Sequence, residues 1–128
     1  MNQKRVLSSF INLVNKIKPD IHELTVFDLN KKINNQHSFY LIDVRETHEF
    51  QQGFIAPARS LSKGIIERDI EKIIPDFEAE IVVYCGGGSR SCLAAYNLQK
   101  MGYCHVSSLV GGFRAWLKAG YPITKKKE

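Results

Sequence analysis

The chain has 128 residues, 44% of them hydrophobic, which suits one domain that buries a full core without disulfides or metals. Its formal charge of +5 owes much to Lys125, Lys126 and Lys127, a terminal run that reads as a solvated tail; without interleaved basic and aromatic residues, nucleic-acid binding is not expected, and the charge better suits small anions. Cys85, Cys92 and Cys104 are odd in number and irregular in spacing, with no C-x-x-C pair, which argues against a disulfide framework and a structural metal.

In chain order, "MNQKRVLSSFINLVNK" sets Lys4 and Arg5 before an apolar run that superficially resembles a secretory signal. Ser8, Ser9 and Asn12 interrupt that run, no small-residue cleavage site follows, and it is too short for a membrane span. Phe10, Leu13, Val14 and Ile17 recur at helical spacing and predict an amphipathic helix packed on the domain. The expected setting is reducing, soluble and cytoplasmic, with no membrane partner.

Helical patterns follow over Val26 to Asn34, Glu46 to Gln52, Gly64 to Ile74, Ser91 to Met101 and Phe113 to Ala119. Between them, "FYLIDV" (Phe39 to Val44) and "IVVYC" (Ile81 to Cys85) read as buried strands, and "HVSSLVGG" as a weaker third. Strands alternating with helices predict an α/β fold, a mainly parallel central sheet with helices on both faces. Ligands of such sheets bind beyond the carboxyl ends of the strands, where Cys85 and Asp43 fall.

Cys85 opens the stretch "CGGGSRS". A free thiol, with a pKa of roughly 8.5, is mostly protonated at neutral pH, and the thiolate is the nucleophile. Gly86, Gly87 and Gly88 allow the backbone to curl its N–H groups inward, and a helix beginning near Ser91 adds its own unpaired N–H groups. Ser89 and Arg90 close this cradle, Arg90 with a permanent charge and a forked donor for an oxyanion or for the loop wall. The plainer reading, a small buried cysteine before a tight turn, accounts for Cys85 alone but not for the whole constellation.

The ordered landmarks "LIDVRETHEFQQGFI", "SLSKGIIE", "VVYCGGGSRS", "SLVGGFRAW" and "AGYP" resemble those of a single-domain rhodanese, a sulfurtransferase family. The resemblance runs from about Val26 to Ile123 and divides the chain into a helical extension (1–25), a rhodanese-like domain (26–124) and a basic tail (125–128). It implies that Cys85 is catalytic, taking a sulfane sulfur from a donor such as thiosulfate and carrying it as a persulfide without a cofactor. The loop Gly86, Gly87, Gly88, Ser89 and Arg90 would bind the outer sulfur. Asp43 and Arg45 match a "DVR" landmark that supports the site, and Glu49, four residues after Arg45, is placed for an ion pair with it. The implied partners are a small anionic sulfur donor, a thiol or cyanide acceptor, and protein donors or acceptors.

Two departures from the family pattern matter. Gly53 to Ala58 reads "GFIAPA" in place of a Gly-His-Ile-x-Gly-Ala turn, which predicts a different local loop. "CGGGSR" has no cation before Arg90, which predicts that doubly negative thiosulfate is a poorer donor than a persulfide. Two other functions stay open: a non-catalytic binding or regulatory module, and a cysteine-based phosphatase or arsenate reductase, whose C-x5-R loop is one residue longer than the C-x4-R here. Cys92 reads as a packing residue beside Ala95, Cys104 has no evident partner, and Trp116 reads as a core anchor with Phe113. His22, His37, His48 and His105 bear no Cys/His-protease relation to Cys85 in the sequence.

Overall fold

The computed structural model describes residues 8–125, so Lys4, Arg5, Lys126 and Lys127 lie outside the described residues. Five strands, β1 (His22–Leu24), β2 (Tyr40–Asp43), β3 (Arg59–Ser60), β4 (Glu80–Tyr84) and β5 (His105–Leu109), form one sheet in the order β1-β5-β4-β2-β3. Every pairing is parallel. Among the described residues six α-helices accompany it: α1 (Ser9–Ile17), α2 (Val26–Asn34), α3 (Thr47–Gln52), α4 (Ile66–Ile73), α5 (Ser89–Met101) and α6 (Gly112–Lys118).

The central strands are apolar throughout because both faces are covered, and the pleat sorts their side chains by parity. Ile42, Ile81 and Val83 join a core with Val14 and Ile17 of α1, Ile66 and Ile70 of α4, and Leu98 of α5. Leu41, Val82 and Tyr84 face the other way, onto Leu29 of α2, Phe50 of α3 and Trp116 of α6. Helices therefore occupy both faces, as the alternating pattern predicts. Local chemistry sets some boundaries: Thr25 Oγ1 accepts from the Asp28 amide at 3.1 Å while the Asp28 carboxylate accepts from the Thr25 amide at 3.3 Å, a capping box that starts α2 at Val26.

Two edge strands, β1 and β3, escape the sequence reading because three and two residues are too few to show a period. His22, read as lying in a surface segment, is exposed but opens β1. The stripe of α1 is narrower than expected: Val14 and Ile17 are buried, whereas Phe10 is 44% and Leu13 49% exposed. The helix after the glycines begins at Ser89 rather than near Ser91, because Gly88 takes the left-handed conformation (φ +105°) and ends the loop abruptly. Among the described residues no helix is long and apolar enough to cross a membrane.

Candidate active site

Cys85 follows the last residue of β4, and Gly86 to Gly88 carry the chain into α5. The Cys85 side chain, with the residue only 1% exposed, turns its sulfur into this loop. The amides of Gly88 and Ser91 donate to Sγ at 3.1 and 3.3 Å. The thiol in turn donates to Ser91 Oγ at 3.5 Å, and that hydroxyl, itself buried, lies 2.8 Å from Ser108 Oγ on β5 and 3.2 Å from the Gly88 carbonyl. Two fixed N–H donors and one rotatable hydroxyl thus converge on one sulfur, and the sulfur anion of a thiolate can accept from all three.

The outer side of the loop is braced by α6. The Phe113 amide donates to the Cys85 carbonyl at 2.7 Å and the Arg114 amide to the Gly86 carbonyl at 2.9 Å. This approach needs a glycine at 112: its φ is +58°, and a Cβ there would overlap the Cys85 carbonyl oxygen. The "GGFR" of the sequence is therefore where one helix start is pressed against another helix's entry loop.

Asp43 and Arg45 form a buried bidentate pair beside this arrangement. Arg45 Nε donates to Asp43 Oδ1 at 3.0 Å and Nη2 to Oδ2 at 2.7 Å, and Nη2 also reaches the Gly53 carbonyl at 2.7 Å. The Arg45 guanidinium lies 4.1 Å from the centre of the Phe113 ring. The Arg45–Glu49 pair that the spacing allows does not form, because Arg45 turns inward to Asp43 and Gly53. Glu49 instead accepts from Arg90 Nη1 at 3.1 Å. Burial is the largest influence on the Glu49 carboxyl and raises its pKa, but the hydrogen bonds from Arg90 and the Glu46 amide, together with the charges of Arg90 and Arg45, outweigh it and hold the carboxyl below its ordinary range.

A cavity of about 340 Å³ lies over the cysteine loop, and Phe10, Ile11, Cys85, Gly87, Arg90 and Arg114 are among its lining residues. Asp43 and Arg45 do not line it. Three of the lining residues carry no signal in the sequence that ties them to the site. Phe10 and Ile11 arrive from α1, far from the cysteine in the chain, and Arg114 passes for an ordinary surface cation within "GGFRAW". The loop's apparent shortage of positive charge is thereby corrected, since α6 supplies a second guanidinium.

The other landmarks fall elsewhere. Cys92 is fully buried with Ala95 in the α5 core, and burial pushes its thiol up. Cys104 is exposed and donates to the Glu78 carboxylate, an interaction that raises its pKa. Trp116 is buried and its indole donates to the Pro122 carbonyl at 2.8 Å. The departure at Gly53 to Ala58 is built around Tyr84, whose buried hydroxyl accepts from the Ile55 amide at 3.0 Å. Phe54 stacks on Phe50 at 4.0 Å, and its backbone bridges to Thr124.

A family model described as the rhodanese-like domain matches residues 25–119. The chain belongs to the rhodanese-like family. Among curated relatives, a sulfurtransferase of Allochromatium vinosum is 32% identical over 103 residues, covering 80% of this chain and 94% of its own. The thiosulfate sulfurtransferase GlpE of Coxiella burnetii is 34% identical over 104 residues, covering 81% and 91%. A solved Rhodopseudomonas palustris protein of unknown function, described as a possible tyrosine phosphatase, superposes with a TM-score of 0.84 at 30% identity over 97% of this chain and 99% of that one. In this rhodanese-like chain the cysteine loop and α6 lie within the matched residues, and α1 lies outside them.

Proposed function

We propose that the protein is a sulfurtransferase that moves a sulfane sulfur from thiosulfate or a persulfide donor to a thiol or cyanide through a persulfide on Cys85. The observation that carries this reading is the convergence of the Gly88 and Ser91 amides on Cys85 Sγ at the floor of a cationic cavity. The relatives named sulfurtransferases support it.

The resting thiol first gives up its proton to solvent through the cavity. The Cys85 thiolate then attacks the outer sulfur of thiosulfate; the sulfur–sulfur bond of the donor breaks, and sulfite leaves with the electron pair. The resulting persulfide projects its terminal sulfur into the cavity toward Arg90 and Arg114. A thiolate or cyanide attacks that sulfur, and Cys85 leaves as a thiolate. No external oxidant or reductant enters either half-reaction, and Asp43 and Arg45 serve by holding the wall behind Phe113.

Two features weigh against phosphatase or arsenate reductase activity. The loop spans only Gly86 to Gly88 before α5, and its amides address the cysteine sulfur itself, leaving little cradle for three phosphoryl oxygens. A purely regulatory module gains nothing from donors aimed at a thiol. Cysteines with no disulfide partner fit a reducing compartment, and a cytoplasmic location is part of the proposal. Initial rates with thiosulfate and cyanide both varied test the mechanism. Parallel double-reciprocal lines are expected from the two-step exchange, and intersecting lines would refute a free persulfide intermediate.

A further inference from the structure

The cavity over Cys85 has two unlike walls. On one side the Arg114 guanidinium approaches the loop at Gly87 through Nη2, so close that a Cβ on that glycine would overlap it. No carboxylate among the described residues pairs with Arg114, whereas Arg90 is already engaged by Glu49. On the other side stand Phe10 and Ile11 of α1. Phe10 is left 44% exposed in a helix whose Val14 and Ile17 are buried, so its ring is not needed by the core. The volume of about 340 Å³ falls in the range of roughly 300–1,000 Å³ that accommodates drug-sized organic ligands, and it exceeds the need of a bare tetrahedral oxoanion.

We propose that α1 and Arg114 make this cavity selective for an organic sulfane-sulfur donor with an anionic head, held by Arg114, and an apolar body, held against Phe10 and Ile11. The proposal rests on the sulfurtransferase reading and adds the donor class and the residues that choose it. An organic thiosulfonate anion fits the description. The Cys85 thiolate attacks its terminal sulfur, the bond between that sulfur and the sulfonyl sulfur breaks, and a sulfinate leaves with the electron pair. The sulfinate oxygens emerge on the Arg114 side, and the substituent faces the helix.

The test compares thiosulfate, methanethiosulfonate and benzenethiosulfonate as donors to cyanide in wild type, Phe10→Ala, Arg114→Ala and Arg114→Lys. Both side chains are exposed, so the variants keep the core. Wild type is expected to favour the benzene over the methane compound by about tenfold in kcat/KM, and Phe10→Ala to cut that ratio severalfold, toward one. Arg114→Ala is expected to raise KM for each donor about tenfold with a much smaller change in kcat, and Arg114→Lys to recover part of the loss. A wild-type ratio near one, a ratio that Phe10→Ala leaves as it was, or a KM indifferent to Arg114 overturns the proposal while sulfur transfer by Cys85 stands. A wild type that accepts sulfur from none of the three donors but is charged by glutathione persulfide overturns the proposal alone, and one charged by none of the four removes the sulfurtransferase reading as well.

Discussion

Arg90, in the first turn of α5, is tied to Glu49 of α3 at 3.1 Å, so the arginine that ends the cysteine loop is a strut between two helices as well as a charge above the sulfur. Both side chains are about one-third exposed, and solvent screening limits the pair to roughly 0.5–1 kcal/mol. The Glu49 carboxyl is held below its ordinary value of 4.5. A carboxylate with a lowered folded pKa stabilises the fold above its unfolded pKa and loses that contribution as pH falls through the folded one. Glu49→Gln is therefore expected to unfold at lower denaturant than wild type at neutral pH, with the gap closing once the medium is well below pH 4.5. Urea titrations at both pH values check this, and a gap that widens on acidification would contradict it.

The Asp43–Arg45 pair lies in the interior, where removing one partner strands the other. Asp43→Ala leaves a guanidinium with only the Gly53 carbonyl and two aromatic faces, and should cost roughly 3–5 kcal/mol. Denaturant unfolding measures it; a loss under about 1 kcal/mol would mean that Arg45 reaches water when its partner is gone.

Gly112→Ala tests the contact between α6 and the loop. The new methyl meets the Cys85 carbonyl oxygen and both carbonyl atoms of Gly86, all backbone, at a left-handed φ that alanine resists. A destabilisation of roughly 2–4 kcal/mol is expected from strain and overpacking together, along with slower sulfur uptake as the loop shifts. Unfolding and single-turnover charging of the same preparation read both effects.

Ser91→Ala removes the hydroxyl between Cys85 and Ser108. Ser108 Oγ then keeps only the long 3.9 Å contact to Cys92 Sγ, and stability should fall by roughly 1–3 kcal/mol. Persulfide formation should slow by about tenfold, since one of three donors to the sulfur is gone. Unchanged charging kinetics would confine Ser91 to a packing role.

What the sequence made legible is what local chemistry and periodicity encode. Thr25 and Asp28 fix the start of α2, the unbroken apolar run "IVVY" announces a strand covered on both faces, and the glycines after Cys85 mark a loop feeding a helix. What it hid depends on distant chain segments meeting. Phe10 and Arg114 share no local signal with Cys85, and they line one cavity only because α1 packs on α5 while α6 presses on the loop. Glu49 shows the same limit: its spacing from Arg45 suits a helix pair, but Asp43 competes for that guanidinium from the end of β2 and wins through burial and bidentate geometry.

The central claim is that Cys85 carries the sulfur, and intact-protein mass measurement tests it most directly. Wild type and Cys85→Ser are exposed to thiosulfate and, separately, to glutathione persulfide, then chased with excess thiol. A gain of about 32 Da, one sulfur atom, is expected in wild type alone and should vanish in the chase. The same gain in Cys85→Ser, or none in wild type with either donor, would contradict a persulfide on Cys85.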